Sequence, residues 1–199
     1  MSTTKPARER ARPMSPEERR EQLVDATLAL LRVHGRAVTT KQIAERAGVA
    51  EGTIFRVFET KEELVDAAVA RAFRPGQVED RVLEIDPALP LRDRLVLLVS
   101  ILQQRFLATF DLMKKVGIVR PPDHVHEGEE AIAIRARLGQ VLEAVVGADT
   151  DQLDVPVDDF VHRLRLLTFA GSHDHIADGR LLTPEQIVDT LLHGHLRTP

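Results

Sequence analysis

Apolar residues along this 199-residue chain recur at spacings of three and four, and nowhere do they alternate with polar ones over a strand's length. The pattern predicts an all-α fold of about nine helices. The first opens at Ser15-Pro16-Glu17-Glu18, with Ser as N-cap, Pro at the first position and Glu three beyond the cap. Leu23, Ala26, Thr27, Leu30 and Leu31 form its stripe, and Gly35 stops it. From Thr39 to Lys61 the punctuation is denser. Thr39 and Gln42 have capping-box spacing, Ile43, Ala44 and Ala47 share a face, and Gly48 is placed to end that helix left-handed. Val49 anchors the turn. A second short helix is predicted from Glu51 to Phe58, burying Ile54 and either Val57 or Phe58. Thr60 and Glu63 repeat the capping spacing for a helix over 61–74, with Leu64, Val65, Ala68 and Phe73 inward and Pro75-Gly76 as its end.

Residues 75–90 read as a linker, with Pro87 and Pro90 flanking Leu89. A long helix is predicted from Leu91 to about Met113; its broad apolar face (Leu95, Leu98, Val99, Leu102, Phe106, Phe110, Met113) implies burial on more than one side. Pro121-Pro122 breaks residues 116–127 into a loop. A helix over 129–146 follows, with Ile132, Leu138, Leu142 and Val145 apolar, then a polar loop after Gly147. Another helix is expected from about Val155 to Ala177, and a last one from Thr183-Pro184-Glu185-Gln186 to about Leu196.

Short helix, Gly turn, short helix is the helix-turn-helix arrangement, whose second helix enters the DNA major groove. The stretch IAERAGVAEGTIFRVFETKEEL resembles the amino-terminal signature of the TetR family of one-component regulators, roughly I-A-x-x-A-G-V-S-x-G-T-x-Y-x-H-F-x-x-K-x-x-L. It matches at Ile43, Ala44, Ala47, Gly48, Val49, Gly52, Thr53, Phe58, Lys61 and Leu64. The division expected is a disordered basic arm over 1–14 (Lys5, Arg8, Arg10, Arg12), a helix-turn-helix domain over 15–75 with its motif at about 39–58, and a ligand-binding and dimerisation body over 76–199.

The resemblance implies roles for particular residues. Glu51, Gly52 and Thr53 map onto base-reading positions, and Thr39, Phe55, Val57 and Lys61 onto phosphate-contacting ones. Arg56 lies on the same short helix, within reach of a guanine edge. Thr40, Gln42 and Ala50 complete the candidate DNA-binding set. Three positions depart from the family pattern. Ala50 replaces Ser, losing an N-cap side chain of about 1 kcal/mol; Phe55 replaces Tyr and Val57 replaces His, so both are expected in the core.

In the body, the resemblance implies an inducer pocket and a four-helix dimer contact. Leu98, Leu102, Phe106, Phe110 and Met113 are the candidate ligand-lining residues, with His162 as a polar group and Arg105 and His124 as weaker ones. With no Trp or Tyr, the ligand is expected to be small and mainly apolar. Phe160, Leu164, Leu167 and Gly171 on one helix, and Ile187, Leu191 and Leu192 on the next, are the candidate dimer interface, Ala170-Gly171-Ser172 allowing close approach. The alternative is that these stripes pack inside one subunit. The implied function is a ligand-released dimeric repressor on a pseudo-palindromic operator. The ligand would act by moving the helix over about 61–74. The alternatives are an activator of the same family, or a metal-responsive regulator.

Charge adds one refinement. Net charge is −4, but residues 1–74 hold 14 Lys/Arg against 11 Asp/Glu (+3), and residues 75–199 hold 13 against 20 (−7). A mildly basic head on an acidic body suits a protein that meets DNA at one end. A non-specific architectural DNA binder would carry far more positive charge. The absence of cysteine excludes disulfides and thiolate metal sites. No apolar run of transmembrane length and no signal segment is read, so a cytoplasmic protein with no membrane partner is expected. No phosphate loop, nucleophile elbow or zinc-hydrolase helix is present; neither enzymatic activity nor a cofactor is expected. Six of the eight histidines form H-x-H pairs (His124/His126, His173/His175, His193/His195) that could chelate a metal in loops but diverge on a helix. No metal site is assigned to them.

Overall fold

The computed structural model describes residues 14–74, 77–119 and 129–195. The basic arm, Pro75-Gly76, Pro121-Pro122, the His124/His126 pair and Leu196 lie outside the described residues. No β-strand forms among those described.

Helix α1 (Pro16–His34) begins with the capping box its sequence announces: the Ser15 hydroxyl accepts from the Glu18 N–H at 3.1 Å, and the Glu18 carboxylate accepts from the Ser15 N–H at 2.7 Å. Helix α2 (Thr40–Ala47) repeats it, with Thr39 and Gln42 as partners, and ends on Gly48 at φ +67°. After the turn come α3 (Glu51–Ile54) and α4 (Lys61–Phe73), the latter capped by Thr60. Leu23, Leu31, Val38, Ile43, Ile54, Phe58 and Leu64 close the head's core, each worth about 1.5–3 kcal/mol of burial.

Helices α5 (Val78–Leu83), α6 (Leu91–Val116), α7 (Glu129–Val146), α8 (Val157–Gly171) and α9 (Pro184–His195) form the second core, around Leu95, Leu98, Leu142, Phe160, Leu164 and Ile187. Arg94 is buried there. Its guanidinium donates to the carbonyls of Pro87 (3.0 Å) and Val146 (3.1 Å) and pairs with Asp149, tying the start of α6 to the end of α7.

Helix α6 joins the two cores. Its 26 residues span about 39 Å. Leu95, Leu98 and Leu102 lie in the body core, while Leu112 and Val116 lie in the head core. At that junction Gly35 (φ +56°) passes so close that a Cβ would stand 2.4 Å from the Lys115 carbonyl oxygen. Arg36 Nε donates to the Val116 carbonyl at 2.6 Å, and Lys115 Nζ to that of Arg32 at 2.7 Å.

Several expectations are corrected. The stretch read as a linker contains α5, because Val78 and Val82, one turn apart, are buried against the body. The third helix stops at Ile54, and Phe58 rather than Val57 fills the core. Helix α6 runs on to Val116, and Ile132 of α7 is exposed. Helix α8 covers 157–171 rather than 155–177: Pro156 serves as its N-cap, and the Leu182 N–H takes the Gly171 carbonyl at 2.9 Å. A run of transmembrane length does exist. Helix α6 has mean hydropathy 1.5 over eighteen residues, but it packs against α1, α5, α7, α8 and α9 as the central helix of the fold.

Candidate nucleic-acid interface

The exposed side of the head gathers most of the sequence-predicted DNA residues on α2, α3 and the turns around them. Thr39, Glu51, Gly52, Arg56 and Ala50 are exposed; Thr40, Gln42, Thr53 and Lys61 are half-buried. Local hydrogen bonds restrict some of them. The Thr39 hydroxyl accepts from the Gln42 N–H (3.2 Å) and donates to the Gln42 side-chain oxygen (3.0 Å), which also takes the Thr39 N–H at 2.8 Å. Gln42 therefore works first as a cap. The Thr40 hydroxyl donates to the Glu51 carboxylate, linking the starts of α2 and α3. Ala50 supplies no side-chain cap, as its sequence requires.

Phe55 corrects the expectation of a core residue: it is 53% exposed, whereas Val57 is half-buried against the head core. The chain leaves α3 at Ile54, which turns Phe55 outward and swings Phe58 in, where Arg20 stacks over its ring at 4.3 Å. Sequence reasoning also passed over Lys41 and Arg46, two exposed cations on α2. The signal was available: both lie off the Ile43/Ala44/Ala47 face.

Gly52 is informative by what surrounds it. A Cβ there would meet nothing within 4 Å. A glycine inside a short helix costs about 1 kcal/mol relative to Ala, and no contact within the chain accounts for it. The clearance is useful to a partner that approaches the backbone closely.

In the body, the candidate ligand residues separate. Leu98 and Leu102 are core; Phe106, Phe110 and Met113 are half-buried; His162 is exposed on α8, away from the interior. The Phe106 and Phe110 rings stack at 6.2 Å, and Phe169 meets both edge-on at 5.4 and 5.1 Å. The His173 ring lies 4.7 Å from Phe110 and 6.0 Å from His175. No group of three or more His, Asp or Glu side chains comes together among the described residues.

The candidate dimer residues lie mostly inside the chain. Phe160, Leu164, Gly171, Ile187, Leu191 and Leu192 are buried within a single chain, and Leu167 packs on the same core. Within the single chain these stripes hold α8 and α9 against α6. Gly171 gives close approach to Leu182, whose side chain a Cβ would meet at 3.0 Å, not to another helix. What α8 leaves outside is Leu166 (57% exposed) and part of Phe169.

Comparison with known proteins points to the head. Residues 23–68 match the family model for bacterial regulatory proteins of the tetR family. The chain is 48% identical over 58 residues to the HTH-type transcriptional repressor KstR of Rhodococcus jostii, covering 29% of this chain and 27% of that protein. It is 48% identical over 59 residues to the HTH-type transcriptional regulator YvkB of Bacillus subtilis, covering 29% and 30%. The matches thus span under a third of these relatives. A crystal structure of a tetR-family transcriptional regulator from Streptomyces coelicolor shares the fold, with TM-score 0.57 at 22% identity over 91% of this chain and 80% of that one.

Proposed function

We propose that this chain, whose head matches the tetR-family model over residues 23–68, is a DNA-binding transcriptional repressor, acting as a homodimer and released by a small, mainly apolar ligand in its body. The observation that carries the reading is the head's surface: a helix-turn-helix turn with a polar and cationic exterior (Thr39, Thr53, Arg56, Lys61) and an open space at Gly52. Thr53 and Arg56 read bases from the major groove, while Thr39, Lys61, Lys41 and Arg46 take phosphates. Phe55, turned outward, lies flat against the sugar–phosphate backbone. Dimerisation uses the exposed side of α8, Leu166 first, since the stripes once favoured are already buried. The division into head and body is supported by the two cores, with α6 shared between them.

That sharing supplies the mechanism. Helix α4 packs chiefly on α1 and moves with the head. Arg105, midway along α6, donates to the Ala72 carbonyl at the end of α4 at 3.2 Å. Burial first, and Arg32 second, hold its guanidinium below the usual arginine pKa, so the contact is made by a charge with little solvent around it. A ligand that shifts α6 in the body moves α1 and α4 together, changing the separation of the two recognition helices. Going from mostly bound to mostly free takes a few kcal/mol of differential ligand affinity.

Fluorescence anisotropy on DNA from upstream of the gene, with excess unrelated DNA and two salt concentrations, tests this. The wild type binds one site over competitor. Thr53→Ala relaxes base preference, and Lys61→Ala weakens all sequences and lowers the salt slope by about one. Equal affinity for every DNA would sink the regulator reading.

A further inference from the structure

The outer side of the head carries a charge that a DNA-binding surface has reason to avoid. Glu51, the first residue of α3, is exposed where the turn after α2 ends. A carboxylate facing a polyanion is repelled by it whatever the sequence. This carboxylate is nevertheless held in place. The hydroxyl of Thr40, the first residue of α2, donates its only proton to Oε1 of Glu51, eleven residues on. The bond crosses the turn and fixes the carboxylate relative to both helices. Among the described residues no hydrogen bond reaches Oε2. Gly52 follows, where a Cβ would meet nothing within 4 Å, so the backbone beside Glu51 is clear for close approach.

In a helix-turn-helix unit the early residues of the second helix face base edges, while the first helix crosses the backbone. At a base edge an ionised carboxylate can only accept. The major groove offers it two donors, the N4 amino group of cytosine and the N6 amino group of adenine. Adenine sets its N7 acceptor beside N6, which repels a carboxylate. Cytosine presents its amino group with no acceptor on its own edge. Guanine and thymine present acceptors there, and thymine a methyl group as well.

Resting on the reading of the head as a DNA-binding unit, we propose that Glu51 selects a cytosine in each half-site by accepting from its N4 amino group through Oε2, with Thr40 as the positioning residue that holds the carboxylate ready. Repulsion from the phosphates then acts as a filter. It weakens binding at every sequence and is offset only where the amino group is present.

The test is selection from a random duplex library by the full chain, followed by anisotropy titrations on the selected site. The wild type is expected to require cytosine at one position of each half-site. Replacing that C·G pair by T·A in one half-site sets the thymine O4 acceptor where the donor stood, and is expected to weaken binding about tenfold. Glu51→Ala loses the preference at that position alone, and its affinity for unrelated DNA rises. Glu51→Gln, whose amide both donates and accepts, keeps cytosine but admits adenine at the same position. Thr40→Val leaves the carboxylate unheld and narrows the ratio at that position to about threefold, while the other positions keep theirs. Circular dichroism melts establish that each variant is folded, and if Glu51→Ala is not, Glu51→Gln decides. A folded Glu51→Ala that selects the same site as the wild type, or that changes the preference at a base other than cytosine, overturns the proposal and leaves the regulator reading standing. An unchanged ratio in folded Thr40→Val overturns the positioning role. A wild type that selects no sequence at all overturns the regulator reading, and this one with it.

Discussion

In the head, α1 to α4 enclose nearly all their apolar side chains, and the large ones left outside are Met14, Val33 and Phe55; in the body, α6, α7 and α8 leave Leu97, Leu107, Ile132, Leu166 and Phe169 at least partly exposed. The head also closes each of α1, α2 and α4 with a side-chain N-cap, while α6 and α8 begin on prolines without one. The difference teaches what each region awaits. A head that is locally complete presents polar groups and backbone to a polyanion. A body that holds its helices by interior packing keeps apolar surface for another apolar partner, whether a ligand or a second copy of the chain.

The sharpest way to break this division is at the residue that violates it. Leu112 belongs to α6 but is 1% exposed inside the head core. Leu112→Ala is expected to cost about 3 kcal/mol in urea unfolding, within the range for Leu-to-Ala cavities. Amide exchange is expected to rise in α1 as well as in α6. Exchange confined to α6 would mean that the cores open independently, and that α6 carries no signal between them. A smaller effect distinguishes folding from function in the head. Gly52→Ala fills empty space, so it is expected to raise stability by up to about 1 kcal/mol through helix propensity. The same change is expected to weaken specific DNA binding by about tenfold, because the added methyl occupies the gap left for the partner's backbone. Unchanged affinity in the anisotropy titration would show that nothing approaches that face closely.

The two regions also differ in how far their sequence spoke for them. Ser15/Glu18, Thr39/Gln42 and Gly48 are local signals: a cap and a left-handed residue need only neighbours a few positions away, and each forms as read. Phe55 escaped because the loss of the Tyr hydroxyl argued for the core, whereas a four-residue α3 turns the chain at Ile54 and leaves the ring outside. In the body the periodicity of Phe160, Leu164, Ile187 and Leu191 was legible, but periodicity reports a buried face and not which surface buries it. The same stripe would serve a dimer or a core, and in the single chain it encloses α6. Val78 and Val82 were too short a pattern to stand out beside Pro75, Gly76 and Pro87.

The smallest expected effect asks whether surface charge holds either region together. In the head, Arg71 of α4 reaches Glu21 of α1 at 2.6 Å; in the body, Arg92 at the start of α6 grips Asp189 of α9 through two hydrogen bonds, Nε to Oδ1 at 2.7 Å and Nη2 to Oδ2 at 3.0 Å. The Arg92 hydrogen bond, and then its charge, hold the Asp189 carboxyl below its ordinary value of 3.8. A lowered folded-state pKa contributes stability that is present above the unfolded value and lost as pH falls through the folded one. Wild type is therefore expected to melt slightly above Asp189→Asn near neutral pH, with the gap closing as pH drops below 3.8. Glu185, whose pKa is lowered by its own backbone N–H and then by the Thr183 hydroxyl, titrates in both proteins. Because Asp189 also interacts with Glu185 and His193, the difference between the two melting profiles reports chiefly the Arg92–Asp189 pair, with smaller contributions from those two groups. The pair is solvent-exposed, so added salt is expected to shrink the gap. A gap that survives salt and low pH would mean that Asp189 acts through packing of α9 on α6, and the view of a body held by its apolar interior would need a polar clamp added to it.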